Sequence, residues 1–228
     1  MAQGAPDLGD GVSIIGATGD LGFGLAVRWA SAGVPVTIGS RDGGRAQEAA
    51  ARVLATVPGA SVEGAENAAA AAASGALVMS VPFAGQAGTY KSIADALRPG
   101  QLVIDATVPL ATAVGGKATR MLGVPQGSAA QQAAELVPDG VDVVSALHTV
   151  SAGKLTDIAR PLDEDVLVCG DRKDPKAAAI ALIGRIEGLR AIDCGRLELS
   201  RITESLTALM ISVNIKHKRH AGIRITGL

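Results

Sequence analysis

The chain has 228 residues, 48% of them apolar, with a mean hydropathy of +0.32 and a formal charge of −1. That length suits one domain with an appendage, the apolar share suffices for a core, and the near-neutral charge excludes general attraction to nucleic acid. Aromatics make up only 2%, so the core falls to Ala, Val, Leu and Ile. Cys169 and Cys194 have no metal-ligand spacing, and two isolated thiols fit a reducing compartment. Met1–Asp10 lacks a signal core and no apolar run is membrane-length, so the expectation is a cytoplasmic protein with no membrane segment and no metal.

Residues 1–11 read as a loose leader. Val12–Ile15 reads as a strand buried on both faces, with Ser13 its one polar member. Gly16, Gly19 and Gly22 follow at three-residue spacing, and Leu21, Leu25, Trp29 and Ala32 then recur at helical intervals. Strand, glycine turn and helix in that order make a dinucleotide-binding signature. The glycines permit the tight turn and the close approach of a phosphate, and the helix start offers free N–H groups. The spacing is G-x-x-G-x-x-G, a variant of the commoner G-x-G-x-x-G.

Gly33 ends that helix, and 34–39 reads as the second strand. A helix over 45–56, a short strand over 60–64 and an alanine helix capped by Asn67 follow. Further strands are expected at 76–82 and 102–107, with a helix over 85–97 between them. Residues 109–125 read as loop, and Ser128 caps a helix reaching Leu136. Strands at 141–147 and 165–169 enclose an ill-defined 151–161. Asp174-Pro175 predicts a helix start with Asp as cap, running to Ile186. A last strand at 189–194 precedes a helix opening at Ser200, with Ile202, Leu206, Leu209, Met210 and Val213 on one stripe that covers either its own domain or a second subunit. The alternation predicts an α/β fold: a Rossmann-like, doubly wound, mostly parallel sheet over 12–195 with a small C-terminal helical segment over 196–228.

The end of the second strand selects the nucleotide. An Asp or Glu there would hold a ribose hydroxyl, but Gly39-Ser40-Arg41 stands in its place, 18 residues after Gly22. Ser40 can donate to a 2′-phosphate, Arg41 can pair with it through its fork, and Arg45 adds a second cation one turn on. This reads as NADP(H). Asp42 is the alternative, a carboxylate that would hold a hydroxyl if the register shifts by two.

With these residues in place, the sequence resembles the NADPH-dependent coenzyme F420 reductases, the F420H2:NADP oxidoreductase family. The matching segments are 16–22, 39–41, Val143-Val144-Ser145-Ala146-Leu147-His148-Thr149, 168–171, 188–190 and Glu204-Ser205-Leu206-Thr207. The resemblance implies direct hydride transfer between NADP(H) and a deazaflavin, F420. It places Thr18, Gly19, Asp20 and Leu21 with Ser40, Arg41 and Arg45 on the nucleotide. It brings Phe83, Val108 and Ala152 to the nicotinamide. Asp20, Phe83 and Ser151 depart from the family's Asn, Trp and Pro. The resemblance also implies a homodimer or higher homo-oligomer.

His148 follows a buried strand at its carboxyl end, where open α/β sheets place ligands. It is a candidate for bonding the deazaflavin ring or accommodating its proton, with Thr149 and Val150 in the same crevice. No nucleophile, metal cluster or carboxylate pair stands out, as expected where two cofactors carry the chemistry. Lys216–His220 is a basic run, either a solvated helix end or a dock for an anionic tail. Two alternatives stand beside this reading. One is an NADPH-dependent reductase of a small imine or ketone, for which about 30 residues after Gly195 make too short a second domain. The other is a non-catalytic NADP sensor.

Overall fold

A computed structural model describes residues 11–228. The expected leader therefore lies outside the described residues, except for Gly11. An eight-stranded sheet runs in the order β3-β2-β1-β4-β5-β6-β7-β8. The strands are β1 Val12–Ile15, β2 Val36–Ser40, β3 Val62–Glu66, β4 Ala76–Met79, β5 Leu102–Asp105, β6 Asp142–Ser145, β7 Glu164–Gly170 and β8 Leu189–Asp193. β1 to β6 are parallel, which places their carboxyl ends on one edge. The chain order reverses between β1 and β4, the switch point where such sheets open a crevice.

Side chains alternate between two cores, because successive strand residues face opposite ways. Ile14, Ile38, Val78, Ile104 and Val144 meet α1 (Asp20–Ser31), α2 (Gly43–Thr56) and α7 (Lys173–Ile183) on one face. Ile15, Leu77, Met79 and Val103 meet α3 (Asn67–Ala73), α4 (Phe83–Ile93) and α5 (Ala129–Leu136) on the other. Ser13, the polar residue of β1, bonds Ser74 at 2.9 Å, which is how a hydroxyl is tolerated at full burial.

Three local expectations are corrected. Asn67 is the first residue of α3, and Glu66 holds the cap position without a side-chain bond. α7 starts at Lys173, so Asp174 lies inside its first turn, complementing the dipole rather than capping, and the helix stops at Ile183. β7 runs antiparallel to β6, although the alternation of elements had suggested a parallel partner. Residues 146–163 stay at the carboxyl edge, forming only the short α6 (Ala152–Leu155), so the chain never crosses back to start another parallel strand.

β7 pairs β6 only at Val144 with Gly170 and Ser145 with Cys169. Its residues 164–168 pair β8 and overhang the end of β6, forming a side wall. The C-terminal segment straps this overhang. The Asp165 N–H donates to the Ile223 carbonyl at 2.7 Å, and the Asp165 carboxylate accepts from Arg190, Arg224 and the Ile225 N–H. Those cations and N–H groups hold Asp165 far below the usual carboxylate range.

α8 (Ser200–His217) turns its polar residues inward. Ser200, Thr203, Glu204 and Ala208 are buried, while Ile202, Leu209 and Ile215 are 53%, 56% and 68% exposed. Of the expected stripe, Ile202 and Leu209 face outward while Leu206, Met210 and Val213 are half-buried, so it covers its own domain only in part.

Candidate active site at the carboxyl edge

The turn after β1 is built for close approach. Gly16 has φ +93°, where other residues are strained, and a Cβ there would sit 3.0 Å from the Ser80 backbone and the Val81 side chain. A Cβ on Gly22 would collide with Ser80 and Ala17, so α1 lies directly against the β1–β4 seam. Gly19 caps α1 without a side-chain bond, and its carbonyl accepts from Phe23 at 2.9 Å. The N–H groups of Asp20, Leu21 and Gly22 have no hydrogen-bond partner among the described residues. A bare helix start behind a glycine turn is an anion cradle, so the residues present fit a dinucleotide pyrophosphate. Thr18 lies in this turn with Gly19, and Asp20 and Leu21 open the helix.

At the end of β2, Ser40 is buried and accepts from the Asp42 N–H at 3.3 Å. Arg41 and Arg45 are exposed. Asp42 caps α2, accepting from Gly44 at 2.8 Å and Arg45 at 3.2 Å. A carboxylate engaged in capping is a poorer partner for a ribose hydroxyl. The arrangement of Ser40 and two free-standing guanidiniums fits a 2′-phosphate better.

The ends of β4, β5 and β6 bring the remaining predicted residues to the same edge. Phe83 is half-buried and is the first residue of α4, not a strand end. Val108 is half-buried beyond β5. Beyond β6, Leu147 adopts φ +70°, an outlier for a branched side chain, and it aims the turn 147–150. His148 follows, 8% exposed, with Nε2 3.5 Å from Ser145 Oγ. Burial lowers its pKa to about 4, and a bond to the Asp105 carbonyl only partly opposes this. The ring is therefore neutral near pH 7. It can offer or accept a hydrogen bond, but the expected role of taking up a proton does not suit it. Thr149 and Val150 are also buried, and Ala152, half-buried, begins α6.

Sequence reasoning missed the polar scaffold beneath this edge. Asp105 is fully buried and accepts from Tyr90 at 2.6 Å, Gln86 at 2.9 Å and the Thr107 N–H at 2.9 Å. Burial raises its pKa, against the pull of those donors. Gln86 also donates to the Ala129 carbonyl and accepts from Gln132, tying α4 to α5. Glu204 of α8 accepts from the Ala129 and Ala130 N–H groups at 2.9 and 3.0 Å, capping α5 from another element. Thr207, one turn on, donates to the His148 carbonyl at 2.9 Å. The polar residues Ser200, Thr203, Glu204 and Thr207, recurring on one helix face, were the available signal. The basic run is exposed, and its last member, His220, bonds Ser151 at 3.0 Å beside α6.

A switch-point crevice with an anion cradle on one side and a neutral histidine on the other defines a dinucleotide-dependent oxidoreductase of the Rossmann type. A family model described as "NADP oxidoreductase coenzyme F420-dependent" matches residues 11–109. The F420-dependent NADP reductase of Methanothermobacter thermautotrophicus is 45% identical over 221 residues, 95% of each chain. That of Methanocaldococcus jannaschii is 41% identical, covering 95% of this chain and 98% of its own. A solved structure of a putative F420-dependent NADP reductase from Arthrobacter sp. FB24 superposes with a TM-score of 0.80 at 25% identity, covering 94% of this chain and 98% of that one. The chain belongs to the F420-dependent NADP reductase family.

Proposed function

We propose that this protein catalyses direct hydride transfer between NADP(H) and coenzyme F420. The observation that carries this reading is the sharing of one sheet edge by the phosphate cradle and the His148–Val150 turn, with only β4 and β5 between them. When bound, the two cofactors supply the chemistry, a hydride passing between carbon-4 of the nicotinamide and carbon-5 of the deazaflavin. The chain supplies binding, orientation and exclusion of water.

In this reading the turn Thr18–Leu21 and the α1 N–H groups hold the pyrophosphate. Ser40, Arg41 and Arg45 take the 2′-phosphate. Phe83, Val108 and Ala152 bound the nicotinamide, while His148, Thr149 and Val150 bound the deazaflavin. His148, being neutral, orients the ring by hydrogen bonding. Residues 12–195 form the nucleotide-binding unit and 196–228 the helical segment. The outward-facing Ile202 and Leu209 of α8 support a homodimer. The free Cys169 and Cys194 support a cytoplasmic site, and among the described residues no helix is long and apolar enough to cross a membrane.

The test mixes protein, NADPH and F420 and follows the deazaflavin's visible absorbance, which should fall. Unchanged absorbance with intact NADPH binding would leave a sensor. The variant Arg41→Ala should weaken NADPH roughly ten- to hundred-fold while leaving NADH nearly unaffected, the loss of one charged hydrogen-bond pair. Equal losses for both nucleotides would remove Arg41 from the 2′-phosphate.

A further inference from the structure

Arg28 lies two turns into α1, in an otherwise apolar run from Leu25 to Ala30. It is only 5% exposed and forms no salt bridge among the described residues. Its guanidinium is spent on the carbonyls of a single segment. Nε donates to Leu155 at 2.8 Å, Nη1 to Arg160 at 3.0 Å, and Nη2 to Lys154 at 3.0 Å and Asp157 at 2.6 Å. One turn earlier on α1, Gly24 leaves room for the fully buried Leu155, and a Cβ there would strike that side chain.

The physical need is plain. α6 is a single turn, too short to persist on its own. The carbonyls at its end have no partner within the helix, and a cation complements that end of the dipole. A planar fork can bond several carbonyls at once, which an ammonium cannot reproduce. Burial of the cation is costly and is opposed only through space by Asp157 and Glu187, neither of which forms a salt bridge with it, so its placement is specific. α6 carries Ala152, follows His148–Val150 directly, and meets α1, whose start is the nucleotide cradle.

We propose that Arg28 is a positioning residue that fastens the turn Ala152–Leu155 to the nucleotide-binding helix, so that the helix holding the NADP(H) phosphates also sets the place of Ala152 at the nicotinamide and of the His148–Val150 turn just before it. The inference rests on the function proposed above. It makes the meeting of the two rings depend on Arg28, while the phosphate contacts that hold NADP(H) stay at the start of α1.

The experiment compares the wild-type protein with Arg28→Lys, Arg28→Met and Gly24→Ala. NADPH affinity is titrated directly, kcat and KM are measured for F420, and amide hydrogen exchange is followed over residues 151–162 with and without NADPH. In Arg28→Met, kcat/KM for F420 should fall about a hundred-fold, the scale of a misplaced ring wall, while NADPH affinity holds. Arg28→Lys should fall between. Gly24→Ala, which displaces Leu155 with Arg28 intact, should reproduce the defect, and it is the deciding variant if Arg28→Met does not fold. Exchange over 151–162 should quicken in the variants, and NADPH should slow it in the wild type only. The proposal is overturned if NADPH affinity falls in step with F420 turnover, or if the segment loosens while F420 kinetics stay at wild-type values. If the wild type does not reduce F420, the functional reading fails, and the effect of NADPH on exchange still decides whether Arg28 links the helix to the turn.

Discussion

His148 shows how one residue's setting limits its chemistry. Ordinary imidazole titrates near neutrality, but burial brings this one down to about 4. Between those values the unfolded chain takes up a proton that the folded chain refuses, so stability falls as pH drops from about 6.5 to about 4, by up to about 3 kcal/mol. His148→Gln should remove that slope. Denaturant unfolding at about pH 7.5 and about pH 4.5 should show the wild type losing more stability than the variant. Parallel losses would mean that the ring is hydrated and free to charge. The sequence placed His148 at a strand end, since the buried run before it is unmistakable. It held no sign of the strained Leu147 or of the Thr207 bond, because both arise from contacts between distant elements.

Among the elements, α8 departs furthest from what its sequence suggests. An apolar stripe ordinarily faces the core. Here the core side is taken by Glu204, Ser200 and Thr203, because α5 ends its N-terminus there and needs acceptors. The Ser128 and Ser200 hydroxyls meet at 2.6 Å beside this cap. Glu204→Ala strands two buried N–H groups and should cost about 2–3 kcal/mol, read from the urea midpoint. A negligible shift would show water replacing the Glu204 carboxyl group, whose pKa burial raises to about 8. Capping by a residue's own loop was legible, as at Ser128. Capping from across the fold was not, and neither was the direction of β7, because a strand's apolar run is the same read either way. Arg28 did carry a signal, a lone charge within an apolar helix, but its carbonyl partners lie more than a hundred residues away.

For the whole molecule, the exposed Ile202 and Leu209, seven residues apart, lie on one side of α8. Exposed apolar surface gathered on one helix face marks a contact with another chain. A dimer joined here would bring two copies of α8 together and, through Glu204 and Thr207, brace both catalytic edges. Ile202→Glu combined with Leu209→Glu should yield a folded monomer in sedimentation velocity, against a wild-type dimer. A wild-type monomer would end the idea. The glycine turn and the mostly parallel sheet were legible, because close backbone approach and full burial leave strong marks on composition, whereas the strand order that opens the crevice between β1 and β4 was not.

The overhang of β7 gives residues 221–228 a further importance. Their removal would free the Asp165 N–H from the Ile223 carbonyl and uncover Glu164, a carboxyl with no hydrogen-bond partner among the described residues and a pKa already raised by burial. A bared edge group beside an apolar strand is a point where another chain can pair. Residues 221–225 thus act as a guard rail for the start of β7, and a protein cut ahead of Ala221 should show more self-association in light scattering than the intact one.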